Sequence, residues 1–245
     1  RQTREQMRAA RPQGARSWDQ VVAHARLIHP DTPQATGDDL AVILHTGGTN
    51  GVPKSVPLTH RNIGTNVNQC RMWVWKLHEG AETFYSLLPY FHAYGLTFFM
   101  CAAVHLAATQ LLLPKFDVDL ALEAHKRRPV TFFVGVPPMF ERVMNRAAEK
   151  NVSLKTIKWS ICGAMPLSKA LAQQWEEATD GMIIEGYGMS ETSPVIAGSP
   201  LADNRYHGAL GVVFPSTDVR LVDLEDPSID VEDGTPGEII VKGPQ

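Results

Sequence analysis

The chain has 245 residues, 44% hydrophobic and 20% charged, with a formal net charge of −3, which supplies core material for one large or two modest globular domains. So mild a charge gives no electrostatic case for nucleic acid as the main partner, and the arginines at 1, 4, 8, 11 and 16, which lack interleaved aromatics, read as a solvated terminal segment. Cys70, Cys101 and Cys162 are odd in number, widely spaced and without a CxxC pair, which argues against a secreted disulfide scaffold or a thiolate zinc site and predicts reduced core cysteines in a cytoplasmic protein.

Residues 1–37 form a polar, proline-dotted lead-in. LAVILH then predicts a buried strand, and LTHRNIGTNVNQCRMWV a helix capped by Thr59 with Ile63, Val67, Cys70 and Val74 on one face. Next come a strand TFYSLLP with a helix YGLTFFMCAAVHLA, and a strand TQLLLP with a helix DVDLALEAHKRR. PVTFFVGVP leads into PMFERVMNRAAEK, IKWSICG leads into SKALAQQWEEATD, and GMIIEGYG supplies a further strand. The most apolar run, LTFFMCAAVHLAATQLLL, is interrupted by His105, Thr109 and Gln110. It falls short of the roughly 20 apolar residues of a membrane-spanning helix and reads as a buried helix followed by a strand.

Apolar runs alternating with amphipathic helices predict the α/β class: a parallel sheet of β-α-β units flanked by helices. After Ser199 the pattern changes. ALGVVFP, TDVRLVDL and GEIIVKG are separated by turn-rich stretches without a helix, which predicts a small, mostly antiparallel β segment. The expected organisation is a lead-in (1–37), an α/β core (38–198) and a β-rich segment of the same domain (199–245).

Three clusters carry chemistry. HTGGTNGVPKS follows the first strand, and in a parallel sheet the loops leaving the C-terminal strand ends form the ligand crevice. Fixing Gly47, Gly48 and Gly51 costs backbone entropy, repaid if their N–H groups approach an anion closely, with Thr46, Thr49 and Asn50 adding polar groups and Lys54 a point charge. The loop is not of the Walker type, because Pro53 stands where glycine is required before the lysine. A plain strand-to-helix turn is the bland alternative.

In EGYGMSET, Tyr187 between Gly186 and Gly188 has a shape suited to stacking on a base, and Glu191 offers a hard oxygen ligand for magnesium. The alternative is a tyrosine in a tight turn beside a solvated glutamate. A serine-hydrolase elbow is excluded, since GxSxG would need glycine at Thr192. In LPYFHAYGL, His92 sits between aromatics, and a lone histidine on such an apolar stretch reads more readily as a satisfied core residue than as a catalyst. No HExxH spacing occurs among the nine histidines.

Together TGGTNGVPK, LPYFHAYGL, VGVPPMF, CGAMPL, EGYGMSET and GTPGEIIVKG, in that order, resemble the adenylate-forming acyl-CoA synthetases, most nearly the bacterial long-chain fatty acid CoA ligases. The resemblance covers Asp39 to the end and implies part of that family's large domain. It implies that residues 46–54 form the ATP phosphate loop, that Tyr187 stacks on adenine, that Ser190 contacts the α-phosphate or acyl adenylate, and that Glu191 binds magnesium. Gly163, Ala164 and Met165 would line the junction of adenine and acyl sites, and His92 would guard the acyl pocket. Implied ligands are ATP or AMP, Mg2+, a fatty acid and coenzyme A.

Three departures stand out: Gly47 where serine is commoner, Ser55 for a frequent glycine, and Ser190 for threonine. The ribose-binding aspartate, the hinge and the small domain with the catalytic lysine are expected beyond Gln245, so the chain is expected to be the middle of a longer enzyme. Peptide-synthetase domains carry an aspartate where this chain reads YFHAYGL, which disfavours an amino acid substrate. An acyl-AMP ligase and a nucleotide-binding module without chemistry remain rivals. Chain length, oligomeric state and peripheral membrane contact stay open.

Overall fold

The computed structural model describes residues 18–24, 33–46, 53–202 and 208–245. The arginine cluster of the lead-in lies outside them. One short helix, α1 (Trp18–Ala23), belongs to a unit ending at Ala35, and Thr36–Gln245 form a second compact unit.

The second unit opens on a hairpin of β1 (Leu40–Thr46) and β2 (Lys54–Thr59), followed by α2 (His60–Trp73). Next come β3 (Thr83–Ser86) and a composite helix α3, made of Ala93–Gly95, a π-helical stretch Leu96–Ala102 and Ala103–His105. β4 (Thr109–Leu112), α4 (Val118–Arg127), β5 (Phe132–Gly135), α5 (Pro137–Glu149), β6 (Trp159–Gly163), α6 (Lys169–Thr179) and β7 (Met182–Gly188) continue the alternation. β8 (Val195–Gly198), β9 (Val212–Val213), β10 (Asp218–Val222) and β11 (Glu238–Lys242) complete the unit.

Seven strands form one sheet in the order β4-β3-β5-β6-β7-β8-β9. From β4 to β7 every pairing is parallel, and β8 and β9 add antiparallel pairings. Because successive strand residues face opposite sides, β5 sends Phe133 into one core layer and Phe132 and Val134 into the other, and β7 divides Ile183 and Ile184 likewise. Helices α4, α5 and α6 cover the first face with Leu122, Phe140, Val143 and Trp175, while α2 and α3 cover the second with Cys70, Phe98 and Phe99. Strands covered on both faces need a continuous apolar run, which is what FFV and SIC supply. Trp175 anchors the first layer, its ring 4.8 Å from Phe140 and 5.1 Å from Phe133, with its indole N–H donating to the Ser160 hydroxyl at 3.0 Å.

Two sequence expectations change. The LAVILH strand does not join the parallel sheet: β1 pairs antiparallel with β2 in a sheet of their own. KSVPLT was assigned no strand because Pro57 and the approaching helix mask its alternation, yet Val56 and Leu58 are buried and pack with Leu44 of β1 against Ala93 and Leu96 of α3. Pro57 is tolerated because a two-stranded ribbon has two open edges. Secondly, ALGVVFP does not belong to a separate small sheet. Its β9 extends the main sheet through β8, and only β10 and β11 form the small antiparallel pair. Among the described residues no helix is long and apolar enough to cross a membrane.

Candidate active site

At the C-terminal ends of β6 and β7 a cavity of about 470 Å³ opens, within the usual range for a small-molecule site. Its floor is a row of glycines across three strands: Gly163 pairs with Gly186, and Gly186 with Gly198. Bare backbone there makes room for aromatic walls. A Cβ on Gly163 would sit 3.3 Å from the Tyr94 ring, and one on Gly198 would sit 3.3 Å from the Trp73 indole and 3.4 Å from Phe214. Tyr94 is in turn fixed by its hydroxyl, which donates to Ile161 O at 3.1 Å.

The hairpin forms the polar rim. Thr46 closes β1, Lys54 opens β2, the two are register partners, and both line the cavity. The sequence places the glycine loop between a parallel strand and a helix; the strands on either side of it instead pair antiparallel outside the main sheet, with Thr46 and Lys54 on the cavity lining. Gly47, Gly48, Thr49, Asn50 and Gly51 lie outside the described residues.

β7 carries Tyr187 and Gly188 to the cavity and runs into a 3-10 turn, Ser190–Thr192. Ser190 is half-buried and Glu191 exposed, both on the lining, whereas buried Thr192 serves the turn itself, accepting from Met189 N at 3.2 Å. β2 packs against this turn. His92 also lines the cavity. It is exposed rather than a core residue, and it caps α3, its Nδ1 accepting from Tyr94 N at 3.2 Å. Ala164 follows β6 with φ +63, a left-handed conformation that costs a non-glycine residue about 1–2 kcal/mol, and it borders the cavity. Met165 does not: 53% exposed, it stands outside the lining.

Sequence reading missed the apolar half. Cys70, Trp73, Val74, Phe98, Ile184 and Phe214 line the cavity, yet in the sequence Cys70 and Val74 read only as a helix's core face. Gly198 and Glu185 were also missed; Glu185 accepts from Gly208 N at 3.1 Å through Oε2. Burial pushes the Cys70 thiol up to about 12, and burial with the nearby Glu185 charge does the same for Cys162, so neither is a nucleophile at neutral pH. All three cysteines are free, Cys70 and Cys162 buried and Cys101 half-buried.

The cavity lining therefore combines a lysine, a serine and carboxylates with aromatic and aliphatic side chains. A family model described as AMP-binding enzyme matches residues 2–245. A long-chain-fatty-acid–CoA ligase of Bacillus subtilis is 37% identical over 207 residues, which are 84% of this chain and 37% of that protein. One of the same name from Yersinia pestis is 36% identical, covering 94% of this chain and 41% of its own. The chain thus spans about two-fifths of the length of these relatives. Among solved structures, ATP-bound MatB from Rhodopseudomonas palustris superimposes with a TM-score of 0.79 at 29% identity over 92% of this chain and 44% of that one. A long-chain-fatty-acid-CoA ligase from Archaeoglobus fulgidus gives 0.74 at 25%, over 84% and 42%.

Proposed function

The chain belongs to the AMP-binding enzyme family, and on that premise we propose that it carries the nucleotide and acyl sites of an acid–thiol ligase. The whole protein would convert a long-chain fatty acid, ATP and coenzyme A into acyl-CoA, AMP and pyrophosphate. The carrying observation is the shared cavity: Thr46, Lys54, Tyr187, Ser190 and Glu191 line it together with apolar residues of α2 and α3. The names of the relatives support the fatty acid as substrate.

In this reading a fatty carboxylate oxygen attacks the α-phosphorus of ATP, the bond to the bridging oxygen breaks, and pyrophosphate leaves. The sulfur of coenzyme A then attacks the acyl carbonyl, and AMP departs with the electron pair. Such chemistry asks for positioning and charge neutralisation more than for covalent help from the protein. Lys54 faces the outer phosphates, Ser190 the α-phosphate, Tyr187 stacks on adenine, and His92 borders the acyl entrance. Residues 38–198 would be the AMP-binding core, with 199–245 as its β-rich extension.

Magnesium fits as an ion held by one side chain. Among the described residues no group of three or more His, Cys, Asp or Glu could hold a metal, whereas magnesium takes one or two carboxylates and draws its other ligands from phosphates and water. Glu191 would supply that carboxylate, and the ion would neutralise charge on the phosphates.

Lys54→Ala in the intact protein is expected to weaken ATP handling by about 1.5–3 kcal/mol, the range of a charge-assisted hydrogen bond, measured as fatty-acid-dependent pyrophosphate exchange. Unchanged exchange removes Lys54 from the mechanism. Binding of ATP without any fatty-acid-dependent AMP formation by the intact protein favours the non-catalytic module, a reading that the partial span of this chain keeps in play for the 245 residues alone.

A further inference from the structure

We infer that buried Asn66, a residue outside the cavity lining, is a positioning residue that fixes the distance between the Lys54 hairpin and the Ser190–Glu191 turn; this rests on the nucleotide reading of the cavity. Asn66 is 0% exposed on α2. Its Oδ1 accepts from Val195 N at 3.1 Å, and its Nδ2 donates to Val195 O at 2.7 Å and to Gln69 Oε1 at 3.0 Å. The carboxamide thus meets both backbone groups of one residue, as a neighbouring strand would. It does so where the sheet lacks one, because β9 pairs only with Ala197 and Gly198.

Val195 begins β8, directly after the turn that bears Ser190 and Glu191, and itself lines the cavity. The same segment is held from α3, where buried Thr97 donates its hydroxyl to Ser193 O at 2.7 Å.

At its other end α2 is continuous with the hairpin. Thr59, the last residue of β2, caps α2 in a reciprocal pair: its hydroxyl accepts from Asn62 N at 3.2 Å, and its own N–H donates to Asn62 Oδ1 at 2.9 Å. From Lys54 to Asn66 the chain is therefore one strand, one cap and under two turns of helix, ending in a fully satisfied amide clamped on the segment that follows the turn against which β2 packs. Stiff elements joined this way hold two rims at a set spacing without touching a ligand. A triphosphate held by Lys54 and by the Ser190–Glu191 turn together senses that spacing. An adenosine stacked on Tyr187 alone does not.

The test is Asn66→Leu, near in volume and unable to make either bond, beside Gln69→Leu, which disturbs the same buried network but leaves the Val195 bonds intact. In the intact protein two quantities are measured: hydrogen exchange of the 189–195 amides, and the affinities for ATP and for adenosine. The expected result for Asn66→Leu is faster exchange at Val195 and a ratio of ATP to adenosine affinity lowered by about tenfold or more, with Gln69→Leu near the unsubstituted ratio. Equal loss of both affinities, or a matching fall in the ratio for Gln69→Leu, overturns the positioning role in favour of general destabilisation. Unchanged exchange at Val195 overturns the clamp itself. If the unsubstituted protein binds no ATP while the exchange pattern is as expected, the nucleotide reading falls and takes the functional role with it.

Discussion

Gly186 and Gly188 stand one residue apart on β7 in opposite surroundings. A Cβ on Gly188 would clash with the Pro194 carbonyl oxygen, whereas one on Gly186 meets nothing nearer than the Ile161 methyl at 3.7 Å. Gly188→Ala must therefore shift the β7–β8 corner and is expected to cost at least about 1–3 kcal/mol of stability, the usual penalty of overpacking, read from urea unfolding. Gly186→Ala is expected to leave the unfolding midpoint nearly unchanged while lowering ATP affinity, since its methyl takes up cavity space beside Tyr187; calorimetry decides between the two. A large stability loss in Gly186→Ala would contradict the open surroundings. Both glycines were legible as special beside Tyr187, but Gly198 was not, because its role is set by Trp73 and Phe214, which lie far from it in sequence.

At the level of elements, the helices were the most legible parts. In α5 the buried residues Met139, Phe140, Val143 and Ala147 recur at helical spacing, and Thr59 caps α2 as its residue type suggests. The strand β2 and the short β8 escaped, for six residues containing a proline and four between two prolines leave too little pattern to separate strand from turn. Burial of polar groups was equally hidden. His125 on α4 is buried as a satisfied imidazole: Nδ1 accepts from Val130 N at 3.2 Å, and Nε2 pairs with Ser153 O at 3.0 Å. Its pKa is lowered, chiefly by burial, which outweighs the bond to Ser153. A histidine with a folded pKa below its unfolded one binds its proton more readily when unfolded, so its share of stability is whole above about pH 6.5 and is lost as pH falls below that value. The urea midpoint of the protein is expected to drop between about pH 7.5 and pH 5.5, and His125→Gln to flatten that drop. Asp119, held low by hydrogen bonds from Arg146 and then Lys150, titrates well below this window. An equal drop in both proteins would place the titrating group elsewhere.

Across the whole unit, the parallel sheet and the small C-terminal sheet were foreseeable in outline, and the hairpin and the joints between the bodies were not. The parallel sheet follows from alternating elements, whereas the bonds joining the bodies run between residues 52 to 182 positions apart and leave no local trace. Gln69 shows the cost of that invisibility: in the sequence it is one polar residue of a helix, yet it is 2% exposed and donates to Pro215 O at 2.6 Å. Beside it Gln245 donates to the Thr217 hydroxyl at 2.7 Å, and its carbonyl accepts from the Ser193 hydroxyl at 2.9 Å. These bonds tie the small sheet to α2, and that sheet is otherwise a twisted pair with Val219, Leu221 and Ile240 at least a third exposed. A two-stranded ribbon has little stability of its own. Gln69→Leu removes the bond to the Pro215 carbonyl, a loss of about 0.5–1.5 kcal/mol, and the loss should fall on the weaker body. Hydrogen exchange is expected to quicken across 218–222 and 238–242 while β5, β6 and β7 keep their protection. Uniform quickening through the seven-stranded sheet would mean that the two sheets open together, and that the bonds from α2 are not what holds the small sheet in place.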